Sequence, residues 1–111
     1  MEGCVFCKIV AGEIPCEKVF ENEGFIVIAD AQPQTEGHSL VISKKHYKNF
    51  MEMPKELYGG MLSAAKEAVG KLGCDSFNLV VNNGKAAQQL VPHVHLHIVP
   101  RKEGDGYRIN F

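Results

Sequence analysis

The chain has 111 residues, with 12 basic and 13 acidic side chains and a formal net charge of −1. This length suits one domain spanning residues 1–111, small enough for a second copy to help bury its surface. The charge balance lacks the basic excess that binds a nucleic acid polymer through counterion release. The sequence has neither a membrane-length apolar run nor the features of a signal peptide, which predicts a cytoplasmic protein without a membrane partner.

The spacing of apolar residues predicts an α+β chain without internal repeats. Apolar positions at helical spacing predict a short helix within residues 4–11, which Gly12 and Pro15 end. Pro54 suits the first position of a long helix of roughly five turns that ends at Gly73. Apolar or β-rich segments predict strands over residues 18–20, 25–29, 39–43, 77–81 and 91–99. These elements predict an antiparallel sheet that carries the long helix on one face.

Histidine and apolar residues alternate strictly in the last predicted strand. Because strand side chains alternate between faces, one face is predicted to hold the apolar residues Val94, Leu96 and Ile98. The other face is predicted to hold three imidazoles about 6.6 Å apart, those of His93, His95 and His97. Packing gives no reason for three histidines in register. The pattern therefore favours chemistry, and a three-histidine metal site or a fortuitous polar edge are the alternatives.

Cys4 and Cys7 are too close together in sequence for a disulfide that closes the fold. In a reducing compartment their spacing indicates metal or redox chemistry. A tetrahedral zinc site needs two more nitrogen or sulfur ligands, for which His46 and His93 are the candidates. Two alternatives remain: a pair of small buried side chains, and a redox pair, which is disfavoured because no strand precedes the cysteines.

The pattern of residues resembles the histidine triad family, whose signature alternates three histidines with apolar residues and ends in two apolar positions. Residues 93–99 match that signature at every position. Flanking segments that recur in family members in the same order are residues 6–9, 12–15, 29–30, 37–42, 45–46 and 81–84. The resemblance covers nearly the whole chain. It implies an antiparallel sheet of about five strands, one long helix and one short N-terminal helix, and a homodimer.

The resemblance further implies a nucleotidyl hydrolase or transferase in which His95 attacks an α-phosphate and becomes covalently nucleotidylated. His97 then donates a hydrogen bond to a non-bridging phosphate oxygen, and His38 supports the triad. Asp30 matches the acidic residue that binds ribose hydroxyls. Phosphate contacts are implied for Asn82, Gln88 and Gln89, and the walls of the base pocket for Phe6, Ile9, Ile14 and Ile28.

In family members with the cysteine pair, the first triad histidine resembles a metal ligand. The resemblance thus assigns a structural zinc ion to Cys4, Cys7, His46 and His93. Leu90 departs from the family pattern, because many members carry there a hydroxyl residue that assists the leaving group.

The segment that contains Arg101 and Lys102 is similar to the dinucleoside polyphosphate branch, so that class and nucleoside phosphoramidates are the predicted substrates. Two alternatives to a histidine nucleophile in a hydrolase remain open. One is a nucleotide-binding interaction protein with little turnover. The other is a catalytic zinc hydrolase that uses the strand histidines as ligands.

Overall fold

The computed structural model describes residues 3–108. Over this range the chain forms the strands β1 (Lys18–Glu21), β2 (Phe25–Ala29), β3 (Ser39–Ser43), β4 (Ser76–Val80) and β5 (His95–Arg101), and the helices α1 (Val5–Val10) and α2 (Tyr58–Leu72). Short 3-10 helices span Lys55–Leu57 and Lys85–Ala87. All neighbouring strands are antiparallel, in the order β1-β2-β3-β5-β4. The predicted α+β class, with five strands and a long and a short helix, is confirmed.

Helix α1 is short because its sequence supplies a cap at one end and a glycine at the other. The Sγ atom of Cys4 accepts the backbone N–H of Cys7 at 3.4 Å, which caps the first turn. Gly12 follows the helix with a φ of +80°, a left-handed conformation that glycine adopts without a steric penalty. A helix of six residues is not stable alone in water, so contacts with the sheet must hold α1 in place.

The long helix begins later than the sequence predicts. Pro54 has an extended backbone and precedes the 3-10 helix, so α2 has 15 residues, about four turns, and starts at Tyr58. The prediction that Pro54 is the first helical residue is therefore wrong. The predicted end is correct, because Gly73 has a left-handed backbone and its N–H bonds to the carbonyl of Val69.

The sheet separates two apolar clusters, one on each face. The first lies under α2 and includes the buried side chains Phe25, Val41, Met61, Ala64, Ala65, Ala68, Val94, Leu96 and Ile98. The second lies on the face covered by α1 and includes Cys4, Phe6, Ile26, Ile28, Leu40 and Ile42. The predicted burial of the apolar residues of the last strand is thus confirmed. Within residues 3–108, no helix is long and apolar enough to cross a bilayer.

The final strand begins four residues later than predicted. Residues 91–93 form a bend in which the N–H of His93 donates to the carbonyl of Val91 at 2.8 Å, and β5 starts at His95. The prediction of three imidazoles in register on one strand is wrong, because His93 precedes the strand. Pro92 has no N–H to donate to a sheet, and the N–H of Val94 donates to the carbonyl of Tyr47, so pairing with β3 begins at His95. At the other end the strand continues through Pro100 to Arg101.

Candidate functional site

The site is built on the face of the sheet that α1 covers. His95 pairs with Ile42 of β3, and His97 pairs with Leu40, so both imidazoles share the face of these apolar neighbours. The ring of Phe6, from α1, meets the ring of His95 edge to face, with centroids 4.9 Å apart. Helix α1 thereby excludes water from one side of His95, whose exposed fraction is 6%.

The tautomer of His95 follows from one hydrogen bond. Its Nδ1 lies 2.7 Å from the carbonyl oxygen of His93, and a carbonyl can only accept, so Nδ1–H is the donor. Burial lowers the pKa of His95, against the opposing effects of that carbonyl and of Asp30. The neutral ring therefore keeps an unprotonated Nε2. This is the arrangement that a nucleophilic imidazole requires.

The tautomer of His97 is fixed by a chain that starts at a backbone amide. The N–H of Gln34 donates to Nδ1 of His38 at 3.0 Å, so neutral His38 must carry its proton on Nε2. That Nε2 lies 3.0 Å from Nδ1 of His97 and donates to it. The proton of neutral His97 is consequently on Nε2. His95 and His97 thus have opposite polarity at Nε2: the first is an acceptor, and the second is a donor.

Asp30 completes this cluster. Its Oδ2 lies 3.5 Å from Nε2 of His38, and its Oδ1 accepts the N–H of Gln32, which fixes the start of the following loop. Although Asp30, His38 and His97 are close enough to share a metal ion, the Gln34 amide occupies the lone pair of His38 Nδ1. A metal on Nε2 would then require a fully deprotonated His38. The geometry therefore favours a hydrogen bond between His38 and His97 over a shared metal ion.

A second cluster contains Cys4, Cys7, His46 and His93, whose sulfur and ring nitrogen atoms lie within 4.8 Å of one another. Nδ1 of His93 is 3.2 Å from Sγ of Cys4 and 3.5 Å from Sγ of Cys7, and Nδ1 of His46 is 3.3 Å from Sγ of Cys7. Tetrahedral zinc with ordinary bond lengths separates a sulfur ligand from a nitrogen ligand by about 3.5 Å. These three distances are close to the spacing that a shared zinc ion requires.

His93 belongs to both parts of the site. Its ring is fully buried, and Nε2 lies 2.8 Å from the carbonyl oxygen of Ser43 and 3.1 Å from its hydroxyl. Nε2 must therefore carry the proton, and the lone pair of Nδ1 faces the cysteines. Ser43 was not predicted as a site residue. A serine at the end of an otherwise apolar strand was the available signal in the sequence.

Gln89 braces the loop that follows β4. Its Oε1 accepts the N–H of Gly84 at 2.8 Å, while its Nε2 donates to the carbonyls of Lys48 and Val91 at 2.8 and 3.0 Å. Both N–H groups of this amide are used within the protein. A phosphate contact of Gln89 remains a prediction, and it would have to use the remaining capacity of the side chain or displace one of these bonds.

The neighbouring loop residues are less constrained. Asn82 is half-buried and Gln88 is exposed, with a left-handed backbone (φ 65°) that is uncommon for a residue with a Cβ atom. Leu90, the residue that departs from the family pattern, is 89% exposed.

The predicted base-pocket residues occupy one region. Phe6 and Ile28 are buried in the cluster beneath α1, Ile9 packs against that cluster, and Ile14 is half-buried in the segment after the helix. Their role in binding a base remains a prediction, because the first three are also explained by packing between α1 and the sheet.

Arg101 is held by its own segment. Its guanidinium donates to Asp105 at 2.9 and 3.0 Å, to Asn78 at 2.9 Å and to the carbonyl of Tyr107. These contacts organise residues 101–107 into a compact tail beside β4. They leave little of Arg101 to bind additional phosphates, so the predicted preference for dinucleoside polyphosphates loses its main support.

A family model for the HIT domain matches residues 11–104. The fold and the paired imidazoles on β5 define a protein of the histidine triad type. The chain belongs to the histidine triad (HIT) family, as its motifs predict.

Named relatives include enzymes that act on nucleotides. An uncharacterized HIT-like protein of Methanocaldococcus jannaschii is 47% identical over 97% of this chain and 86% of its own length. Adenylylsulfatase HINT3 of Arabidopsis thaliana is 47% identical over 92% of this chain and 54% of its own, so the chain spans about half of that protein. Adenosine 5'-monophosphoramidase hnt1 of Schizosaccharomyces pombe is 40% identical over 89% of this chain and 74% of its own.

Solved structures agree with the fold. A HIT family hydrolase from Clostridium thermocellum superposes with a TM-score of 0.90 at 33% identity, over 99% of both chains. The Zn-bound histidine triad family protein from Mycobacterium smegmatis gives a TM-score of 0.85 at 42% identity, over 94% of this chain and 78% of that one.

Stability should fall in mild acid because His97 is neutral in the folded protein. Burial, and then the repulsion that a charge would meet from His95 and His38, lower the pKa of His97 to about 4, against the opposing effect of Asp30. The unfolded chain takes up a proton near pH 6.5 and the folded chain does not, so the free energy of unfolding decreases as the pH falls from about 6.5 to about 4. The loss from this residue is on the order of 2–3 kcal/mol.

Urea unfolding at several pH values measures this dependence. His97→Asn removes one titrating group and should make the pH dependence less steep over that interval, while His38 and His95, whose pKa values burial also lowers, retain the remainder. An unchanged slope in the variant would show that other groups cause the acid sensitivity.

Proposed function

We propose that this protein hydrolyses nucleotides with a substituted α-phosphate, through a covalent nucleotidyl intermediate on His95. The opposite polarity of two neighbouring Nε2 atoms carries the proposal. His95 offers a lone pair and His97 offers a proton, and the ring centroids lie 5.0 Å apart, so one phosphate group can meet both. Neither ring has to change its protonation before substrate binds.

Two displacements at phosphorus account for the reaction. In the first, the Nε2 lone pair of His95 forms a bond to the α-phosphorus, and the leaving group departs with the electrons of its bond and takes up a proton from solvent, which the water of the second step returns. The positive charge on the imidazole is stabilised by the carbonyl of His93, which accepts Nδ1–H. His97 Nε2–H donates to a non-bridging oxygen as negative charge moves there. In the second, water attacks phosphorus, the N–P bond breaks, the electron pair returns to Nε2, and water releases a proton.

The substrate class we favour is an adenosine nucleotide with a small substituent on the phosphate. The relatives in Arabidopsis and Schizosaccharomyces pombe are named for activity on an adenylyl sulfate and an adenosine phosphoramidate. Dinucleoside polyphosphates remain a second candidate. Asp30 is proposed to bind the ribose, Asn82, Gln88 and Gln89 the phosphates, and His38 to hold the proton that sets the tautomer of His97.

We further propose a structural zinc ion bound by the four cysteine and histidine side chains identified above. Burial, and then the adjacent Cys4 thiol, raise the pKa of Cys7. Two thiolates this close together would repel each other, and a bound cation would offset that repulsion. A bound zinc would tie α1 to the sheet and stabilise both thiolates. Four protein ligands complete a tetrahedron and leave no position for water, which argues against a catalytic zinc hydrolase. Reduced cysteines are consistent with a cytoplasmic location.

We also propose a homodimer that pairs the β4 edges and the α2 helices of two copies. Leu62, Phe77 and Leu79 are 56%, 40% and 43% exposed. With Ala65, Val69 and the charged Lys66, they line a groove of about 210 Å³ between the helix and the strand. β4 is an edge strand, so its outer backbone groups are unpaired in a single copy. An exposed apolar patch at a free edge is typical of a subunit interface.

The alternative function is a nucleotide-binding interaction protein with little turnover. It is less favoured because the tautomers of both histidines are prearranged for displacement, which binding alone does not need. Turnover measurements on adenosine phosphoramidate, adenylyl sulfate and diadenosine polyphosphates separate the two functions and rank the substrates.

Replacing the nucleophile should abolish turnover but not binding. His95→Asn keeps a polar side chain that cannot attack phosphorus, so hydrolysis should stop while the Kd for nucleotide changes by less than about tenfold, roughly 1.4 kcal/mol. His97→Asn should slow the reaction by about 10²–10³-fold, as for the loss of one donor to a charged transition state. Rapid quench without acid, followed by peptide mass analysis, should place the adduct on His95. Comparable turnover by His95→Asn would contradict the covalent mechanism.

Purified protein should contain one zinc ion per chain. Elemental analysis should find none in a Cys4→Ser, Cys7→Ser variant, while a Cys16→Ser, Cys74→Ser variant, altered at the two free cysteines outside the cluster, should keep its zinc. Chelation should lower the Tm of the parent protein and of the Cys16→Ser, Cys74→Ser control. An equal zinc content in the two double variants would show that Cys4 and Cys7 are not zinc ligands.

Light scattering should give a mass of twice the 12.2 kDa chain. Leu79→Lys places a charge in the proposed interface and should yield a monomer. Met51→Lys is the matched control, because Met51 is 83% exposed and lies outside the patch. A monomeric parent protein, or a dimeric Leu79→Lys protein, would exclude this interface.

A further inference from the structure

Ser43 lies at the junction between β3 and the metal cluster, where both of its oxygen atoms are committed. The residue is fully buried, as is the ring of His93. The Ser43 carbonyl accepts Nε2–H of His93 at 2.8 Å, and the hydroxyl oxygen is 3.1 Å from the same nitrogen. The hydroxyl also donates to the carbonyl of Lys45 at 2.7 Å. One serine therefore contacts the histidine that ends the cluster and the backbone that leads into His46.

We propose that Ser43 is a positioning residue that orients both histidine ligands of the metal site. This inference rests on the proposed zinc ion. For His93, the oxygen atoms of Ser43 hold the ring in the tautomer whose Nδ1 lone pair faces the cysteines. For His46, the bond from the hydroxyl to Lys45 fixes the turn immediately before the ligand. Removal of the hydroxyl deletes one of the two contacts to His93 Nε2 together with the bond to Lys45, while the Ser43 carbonyl still accepts Nε2–H. The orientation of His93 then depends on a single bond, and the turn before His46 loses its tie to β3.

Ser43→Ala should weaken metal binding by the folded chain, in addition to any effect on the stability of the fold. Groups that orient a histidine ligand through its other nitrogen typically contribute 10–100-fold to metal affinity. If Ser43 filled space alone, its replacement by alanine would destabilise the folded chain and leave the affinity of the folded site unchanged.

The same strand offers a matched control. Ser39 lies at the other end of β3, is 1% exposed, and donates its hydroxyl to the carbonyl of Gly37 at 2.8 Å. Ser39→Ala and Ser43→Ala thus each delete a buried hydroxyl that bonds to a carbonyl two residues away. They differ in the contact with His93.

The experiment measures zinc and cobalt affinity of the full chain by competition with a chromophoric chelator. Ser43→Ala should bind zinc 10–100-fold more weakly than the parent protein, with altered cobalt d–d and thiolate charge-transfer bands. Ser39→Ala should match the parent in both measurements. Ser43→Thr retains the hydroxyl and should recover most of the affinity. Melting curves in the presence of chelator measure the structural effect of each variant separately.

Three outcomes would overturn the role of Ser43. Parental affinity and spectra in Ser43→Ala would show that the hydroxyl does not position the ligands. An equal loss in Ser39→Ala and Ser43→Ala would indicate general destabilisation. A parent protein that binds neither metal would locate the failure in the proposed zinc site itself, since the serine variants then have nothing to position.

Discussion

The imidazole and the carbonyl of His93 are the point on which the site depends. The side chain of this residue faces the cysteines, and its main-chain oxygen accepts the proton of His95 at 2.7 Å. A shift of His93 therefore changes the cysteine cluster and the direction of the His95 lone pair together. Its ring is completely buried, so packing restricts such a shift. The bend at residues 91–93 keeps His93 out of β5, so that its side chain and its carbonyl can face different parts of the site.

Burial determines the charge of the imidazoles, and backbone contacts determine their tautomers. Burial lowers the pKa values of His38, His95 and His97 and so favours uncharged rings. Backbone groups then decide which nitrogen carries the proton: the Gln34 amide acts on His38, and the His93 carbonyl acts on His95. Because backbone positions are set by the sheet and its loops, the polarity at the site is a property of the fold.

Most helices and strands and the residues of both side-chain clusters could be predicted from the sequence. The hydrogen bonds that connect the clusters could not. Hydrophobic spacing predicted β2, β3 and the C-terminal end of α2, where periodicity and a glycine act together. The same spacing wrongly predicted a strand at His93. Alternation of apolar and polar residues does not show that the preceding Pro92 lacks the N–H needed for pairing. The cysteine and histidine residues that the fold brings together could be identified from their side-chain chemistry. The role of Ser43 was not predicted, because its contact with His93 joins residues 50 positions apart in the sequence. The Gln34 amide was not predicted either, because a backbone N–H carries no side-chain signal and its bond to His38 depends on the loop conformation.

The cluster of Cys4, Cys7, His46 and His93 is completed late in the synthesis of the chain. Its cysteines stand at the start of the sequence, and Cys4 meets His93 across a separation of 89 residues. At ordinary rates of translation, the fourth side chain is made roughly 5–20 s after the first cysteine. Throughout that interval the two thiols have no complete set of partners, and α1 is too short to form without the sheet. The two thiols of a nascent chain therefore remain without His93 until the segment just before β5 is translated.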